Sequence, residues 1–239
     1  MSVREKDNPE LFRRIQEQNL LRQYDLLSNC IEIGLEKGIE AFDKYTLWAL
    51  NYAAVANIAQ FGGRYREQPI YVGNHIPPHF DRVSTLMDQF ISVVHENWTL
   101  IDHPTTLAAW ALWRMNWIHP FVEGNGRTAR AACYYLICMK QGKLLRGKKI
   151  VPERIRENRA PYYAALQAAD LAWAQGHFDV SQLAAYLETL LKAQLAEARG
   201  AQQQQAGGTV HVLAAPPRAL PGPGDQKPGD AQDVSGAPT

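Results

Sequence analysis

Apolar positions recur at three- and four-residue spacing along most of this chain, the period of helices that each bury one face. Residues 8–36 read as one or two amphipathic helices and Phe42 to Phe61 as a long apolar helix. Residues 82–97 give a third segment. Pro104 to Trp117 gives another, with Pro104 suited to a first helical turn. Arg127 to Lys140 is apolar again at Ala131, Tyr134, Tyr135, Ile137 and Cys138, and segments near 161–176 and 180–198 close the series. One stretch breaks the helical rhythm. In residues 62–78, Ile70-Tyr71-Val72 is β-prone, Gly73-Asn74 is a turn pair and Pro77-Pro78 ends the run, so a single short hairpin is predicted. Residues 141–157 are basic and turn-rich. From about Gly200 the chain turns to a Gln run and then to Pro, Gly and Asp, a composition too poor in large apolar groups to offset ordering entropy. The expected fold class is all-α: a helical bundle, a short β-hairpin and a disordered C-terminal tail.

Composition narrows the function classes. The chain has 239 residues, 25 Lys and Arg against 24 Asp and Glu, and 46% hydrophobic residues. That supports one core of good size and gives no basic bias toward nucleic acid. No apolar run reaches membrane-spanning length, and the start Met-Ser-Val-Arg-Glu-Lys lacks the pattern of a secretory leader. A cytoplasmic protein without nucleic-acid or membrane partners is expected, although export by a specialised system leaves no trace in such a sequence. Cys30, Cys133 and Cys138 sit in apolar helical contexts and read as buried thiols. Trp110, Trp113 and Trp117 form a stripe at helical spacing, expected in the core. His75 and His79 are four apart, but the prolines between them forbid a helix and hence a helical metal pair. Lys143, Arg146, Lys148 and Lys149 read as a solvated loop.

Chemistry concentrates in one run, His119-Pro120-Phe121-Val122-Glu123-Gly124-Asn125-Gly126-Arg127-Thr128-Ala129-Arg130. It lies between two predicted helices and enters the second. First-turn amides there have no intrahelical partner and carry partial positive charge, so a phosphate is the natural occupant. Gly124 and Gly126 can adopt positive φ and let amides approach an anion. Glu123 is a hard oxygen ligand suited to Mg²⁺ beside substrate phosphates. Arg127 can neutralise phosphate oxygens, and Arg130, three residues on, reaches a terminal phosphate or a distant acid. Asn125 can donate to a phosphate oxygen. His119 has the side chain best placed to take a proton from an incoming hydroxyl near neutrality. Phe121 is most simply a core anchor.

This run resembles the signature of the Fic family, His-x-Phe-x-Asp/Glu-Gly-Asn-Gly-Arg-x-x-Arg, and matches it throughout residues 119–130. About seven identities are fixed, so a chance match at a given start is on the order of one in a billion. The resemblance covers about residues 40–175. It implies a Fic-type helical domain over 40–198 with a hairpin flap, preceded by a helical extension at 1–39 and followed by a tail at 199–239. It implies transfer of AMP from ATP, with Mg²⁺, to a protein Tyr, Thr or Ser hydroxyl, releasing pyrophosphate. By analogy His119 is the base, Glu123 holds the metal, and Gly124 to Arg127 cradle phosphates within a nucleotide site running through Thr128, Ala129 and Arg130. Related Doc kinases carry Lys at the second glycine; Gly126 here favours nucleotidyl over phosphoryl transfer.

Val72, Gly73, Asn74 and His75 match the family's flap, which pairs with an extended target segment. Tyr162 and Asp170 match its helix beside the adenine, although some members carry Asn where Asp170 stands. Many members also carry an inhibitory Ser/Thr-x-x-x-Glu-Gly/Asn helix. Ser28 to Glu32 fits its first five positions and Ile33 departs from the sixth. A carboxylate near Arg130 would compete with phosphate. Two rival readings stay open: removal of AMP or transfer of another nucleotide or phosphate group at the same site, and a nucleotide-sensing module with little turnover. Self-modification and a separate antitoxin-like partner stay open as well.

Overall fold

The computed structural model describes residues 2–73 and 75–207, with side chains to residue 200. Eight helices make up the described chain: α1 Pro9–Lys37, α2 Lys44–Val55, α3 Val83–Asn97, α4 Pro104–Ile118, α5 Asn125–Lys140, α6 Val151–Glu157, α7 Arg159–Ala174 and α8 Ser181–Gly207. The all-α expectation holds. The hairpin is reduced to one antiparallel bridge between Val72 and His75, and no strand occurs among the described residues. Asn74 lies outside those residues. Part of the predicted tail is helical, since α8 runs to Gly207; the remainder is likewise outside them. No helix is long and apolar enough to cross a membrane among the described residues.

α5 is the centre of the bundle, with every residue from Ala131 to Met139 buried between α4, α1 and α2. Its closeness to α1 depends on Gly34, where a Cβ would stand 2.1 Å from the Tyr135 hydroxyl. α1 starts at Asn8, whose side chain accepts from the Leu11 N–H at 3.0 Å, with Pro9 in its first turn. Its inner face is apolar only toward its end, at Leu27 and Ile31. Nearer its start the same face carries Asn19 and Gln23, which donate to the carbonyls of Ala56 (2.8 Å) and Leu50 (3.0 Å) on and beyond α2. Those bonds tie the polar start of α1 to the main chain of α2 and of the residue beyond it, and give both buried amides a partner.

α2 is shorter than its apolar pattern predicts. Ala56 is extended (ψ 133°) and Asn57 is left-handed (φ 64°), which ends the helix at Val55 although apolar residues continue. Residues 141–157, read as turns, contain α6. Pro152 suits its first turn, and the Glu153 carboxylate accepts from the Ile150 N–H at 3.1 Å. The tryptophan stripe is largely core: Trp113 is buried and Trp110 stacks on Phe90 at 5.3 Å.

Candidate active site

His119 ends α4. It caps the helix in the left-handed region (φ 51°, ψ 61°), and its N–H donates to Met115 O at 2.9 Å. A non-glycine residue holds that conformation at a cost of about 1–2 kcal/mol, so something must fix it. Arg66 does. Its Nε donates to His119 O at 2.9 Å, its Nη2 to Ile118 O at 3.4 Å and also to Pro78 O, and its Nη1 to Gln68 O at 3.2 Å. Its own N–H bonds Pro120 O at 2.8 Å. One buried guanidinium therefore ties both ends of the flap segment to the backbone on either side of the candidate base.

The imidazole is oriented as well. Nδ1 lies 3.1 Å from the Asn116 carbonyl. A carbonyl only accepts, so Nδ1 carries the proton and Nε2 keeps a lone pair facing the cavity. Burial holds the His119 pKa below the ordinary value of 6.5, the Asn116 carbonyl opposes, and His75 and Arg66 push it further down. The ring is a neutral base at physiological pH.

The loop after His119 closes on itself. Phe121 is buried, its N–H donates to Asn125 Oδ1 at 2.8 Å, and Asn125 Nδ2 donates to Phe121 O at 2.7 Å. The Asn125 side chain is thus committed inside the loop and is not offered to a phosphate. Gly124 has φ 80°, and a Cβ there would meet Val55 Cγ1 at 2.5 Å and Asn51 Nδ2 at 3.0 Å. Gly126 is helical and has no positive φ; its lack of a side chain leaves room for Arg130 Nη1, 3.2 Å from where a Cβ would stand. The first intrahelical bond of α5 runs from the Thr128 N–H to Gly124 O at 2.9 Å, and no side chain caps the helix. The amides of Asn125, Gly126 and Arg127 are left for an anion.

Other predicted members divide. Thr128 is buried and its hydroxyl donates to Gly124 O at 3.0 Å, while Ala129 is buried in the core. Both side chains face the helix interior and not the cavity. Arg127 is half committed, with Nη1 on Ala54 O at 2.6 Å. Burial lowers the pKa of Arg127 and of Arg130; Glu123 opposes this at Arg127, and Arg159 reinforces it at Arg130. Glu123 is exposed on the cavity rim.

Two cavities meet at His119. One, of about 570 Å³, holds Glu123 to Arg127 and Arg130. Its far wall carries Arg156 and Arg159 from the α6–α7 junction and Arg13 with Glu17 from α1, none of which the sequence singled out. The other, of about 220 Å³, is walled by Trp113, Trp117, Leu166, Gln167 and Asp170 and roofed by Val72 and His75 of the flap. His119 and Tyr163 line both. His75 is pinned there by a 2.8 Å bond between its ring nitrogen and Trp117 O, and Gly73 makes the turn at φ 56°. Asp170 is on this wall, its Oδ1 accepting from Trp113 Nε1 at 2.8 Å. Tyr162, by contrast, is buried with its hydroxyl accepting from Asn116 Nδ2 at 3.0 Å, so Tyr163 takes the position facing the cavities.

The inhibitory candidates fall elsewhere. Glu32 is exposed and sits 3.9 Å from Arg146, and Ser28 lines a separate groove with Tyr24 and Leu145. The first and fifth positions of a helix motif fix spacing but not which helix face meets Arg130. A further residue the sequence did not reveal is Asn51 on α2. It is buried, donates to Glu123 O (2.9 Å) and Thr128 Oγ1 (3.2 Å), and accepts from the Gly63 N–H (2.9 Å).

Comparison with known proteins agrees with this geometry. Residues 41–137 match the Fic/DOC family. The chain is 30% identical over 159 residues to a protein adenylyltransferase Fic of Drosophila willistoni, covering 66% of this chain and 30% of that protein. It is 36% identical over 111 residues to that of Aedes aegypti, covering 46% of this chain and 20% of that protein. The chain thus spans less than a third of the length of these curated relatives. Fic-1 (residues 134–508) of C. elegans superposes with a TM-score of 0.61 at 25% identity, covering 80% of this chain and 52% of that one. A Fic family protein from Desulfovibrio desulfuricans shares the fold, with a TM-score of 0.55 at 19% identity over 84% of this chain and 69% of that one. The twelve-residue run, the helical frame that displays it and the family match agree that this chain carries a Fic/DOC family domain matched over residues 41–137.

Proposed function

We propose that this chain is a protein adenylyltransferase, moving AMP from ATP to a Tyr, Thr or Ser hydroxyl of a protein. The observation that carries the reading is the position of His119 between the two cavities. An aromatic, partly apolar cavity suits a base, and an arginine-lined helix N-terminus suits a polyphosphate. A nucleoside triphosphate spanning both places its α-phosphate at their junction, beside Nε2, and carries its terminal phosphate away toward Arg130 and Arg159. That arrangement favours attack at the α-phosphate over attack at the γ-phosphate. The names of the curated relatives support the same activity.

The acceptor hydroxyl approaches under the flap. His119 Nε2 takes its proton as the oxygen bonds the α-phosphorus; the α–β bridging P–O bond breaks, and pyrophosphate leaves with the electron pair. The α5 amides and Arg127 offset charge on the phosphates, and Arg130, Arg156 and Arg159 receive the leaving group. Glu123 would hold a divalent cation, Mg²⁺ in this proposal. No group of three metal-ligating side chains occurs among the described residues, which fits an ion that completes its shell with phosphate oxygens and water. When bound, that ion neutralises charge on the phosphates.

The test is transfer of labelled AMP into protein with wild type and His119→Ala. Loss of a positioned base predicts a fall of about 10²–10⁴-fold with nucleotide binding retained. Undiminished transfer by His119→Ala would remove the base from this mechanism.

A further inference from the structure

Two loops of the site close on one stretch of α2, a helix that supplies no reacting group. Asn51 is fully buried there, and its amide is engaged at both ends. Nδ2 donates to Glu123 O at 2.9 Å and to Thr128 Oγ1 at 3.2 Å, while Oδ1 accepts from the Gly63 N–H at 2.9 Å. An amide side chain has the two donors and the acceptor that this needs. One residue thereby joins the phosphate loop at 123–128 to the root of the flap segment at Gly62 and Gly63.

Val55, one turn along the same face of α2, repeats the junction by shape. A Cβ at Gly124 would stand 2.5 Å from Val55 Cγ1, and one at Gly62 would stand 2.6 Å from Val55 Cγ2. Gly63, at φ 78°, is seated as closely, with its Cβ position 2.9 Å from Tyr52 Cβ. Each loop therefore covers one methyl group of Val55 and one end of the Asn51 amide. If either loop lifts, a buried polar group loses its partner and a close-packed contact opens. Three residues beyond Gly63, Arg66 carries the constraint into the flap at Gln68 and Pro78.

We propose that Asn51 is a positioning residue that couples the two substrates, so that phosphates bound at 123–128 order the flap segment before an acceptor reaches it. The inference rests on the adenylyltransferase reading, in which the donor occupies that loop and the acceptor approaches under the flap. A bound polyphosphate restrains Glu123 and Thr128, these hold the Asn51 amide, and its Oδ1 holds Gly63. The acceptor then meets a segment whose conformational freedom is already reduced. By linkage, a docked acceptor tightens nucleotide binding by the same factor. Coupling between distinct sites begins at about fivefold, the size expected here.

The test is amide hydrogen exchange of the full chain with Mg²⁺ and inorganic pyrophosphate, which reaches the phosphate loop and has no base to place under the flap. Neither Gly63 nor Arg66 lines either cavity at His119, so the ligand cannot cover their amides directly. At saturation, exchange at Gly63 and Arg66 is expected to slow about fivefold more than exchange in α3, which borders neither cavity. Asn51→Ala should cut this excess to below about twofold while calorimetry still finds pyrophosphate bound. Val55→Ala loosens both loops and removes no polar group. It should give an intermediate excess, and it carries the test if Asn51→Ala does not fold. A wild type that binds no pyrophosphate or shows no excess overturns the proposal, as does a full excess in folded Asn51→Ala or in Val55→Ala. An excess that depends on Asn51 in a chain that transfers no AMP supports the coupling and counts against the adenylyltransferase reading. AMP transfer without the excess does the reverse.

Discussion

Replacing Arg66 with Met is the sharpest perturbation of the site that touches none of its reacting groups. The side chain keeps its aliphatic stem and loses the fork that joins Gln68, Pro78, Ile118 and His119 through their carbonyls. Hydrogen bonds from a charged donor contribute about 1.5–3 kcal/mol each, so the bonds to His119 and Pro78 alone amount to about 3–6 kcal/mol gross. Water reaching the vacated flap carbonyls returns part of this, leaving a loss of about 2–4 kcal/mol. For a domain of this size that corresponds to a fall of roughly 4–16 °C in Tm. Function should suffer more than folding. Without the Nε bond, the left-handed backbone at His119 keeps only its N–H bond to Met115 O and the ring bond to Asn116 O, and the imidazole shifts from its line with the junction of the cavities. Misplacement by about 1 Å costs on the order of 10²-fold in rate. The expected result is a large fall in kcat for AMP transfer with ATP affinity nearly intact, since the amides of Asn125 to Arg127 are untouched. Loss of the nearby positive charge also raises the His119 pKa, moving the acid limb of the rate profile upward. Thermal unfolding, isothermal titration with ATP and a pH–rate profile read the three effects. A variant with a lowered Tm and an unchanged kcat would show that the flap staple supports folding alone and that His119 is held by other means.

Three further outcomes follow from the same contacts. Gly124→Ala combines φ 80° with a 2.5 Å approach to Val55 Cγ1, so a destabilisation of about 2–4 kcal/mol is expected, read as a lowered midpoint in urea. Glu17 lies on the wall of the arginine cavity, held by Arg13 at 2.6 Å, whereas Glu32 faces Arg146; Glu17→Gly should therefore tighten ATP binding about two- to fivefold, and Glu32→Gly should leave it unchanged, both read by calorimetry. Because burial lowers the His119 pKa below 6.5, the unfolded chain takes up that proton first as pH falls; stability should decline between pH 6.5 and the lowered value, and AMP transfer should fall only at the lower end of that window, in matched melting and rate measurements.

Helices were legible where periodicity and caps coincided. α3 and α4 lie where the apolar pattern puts them, and Pro104 marks the start of α4. The pattern failed at Ala56 and Asn57, because backbone turns carry no hydropathy signal, and at α6, whose seven residues are too few for a period to emerge. In α6 the Pro152 and Glu153 pair was the available signal. The motif was fully visible, since its residues are contiguous, but the direction of each side chain was not. Asn125, Thr128 and Ala129 serve the loop and the core although they share the run with Glu123 and Arg127. Arg66 and Asn51 escaped notice for a different reason. The bonds that tie them to the motif go to backbone carbonyls more than fifty residues away, His119 O and Glu123 O, and every residue carries such a group, so no side-chain pattern marks them.

This mode of support explains how a helical frame can hold the 119–124 turn firmly. The run from His119 to Gly124 has almost no regular structure of its own, and its groups are fixed from outside by side chains that bond main chain. Arg66 fixes His119, Asn51 fixes Glu123 O, and Arg127 fixes itself to Ala54 O at the end of α2. Each anchor starts or ends on α2, the flap or α5. A bond to the main chain constrains position without using the acid, base or cation that chemistry needs. Nε2 of His119, the carboxylate of Glu123 and the guanidinium of Arg130 are consequently left uncommitted, as a site that must engage a substrate requires.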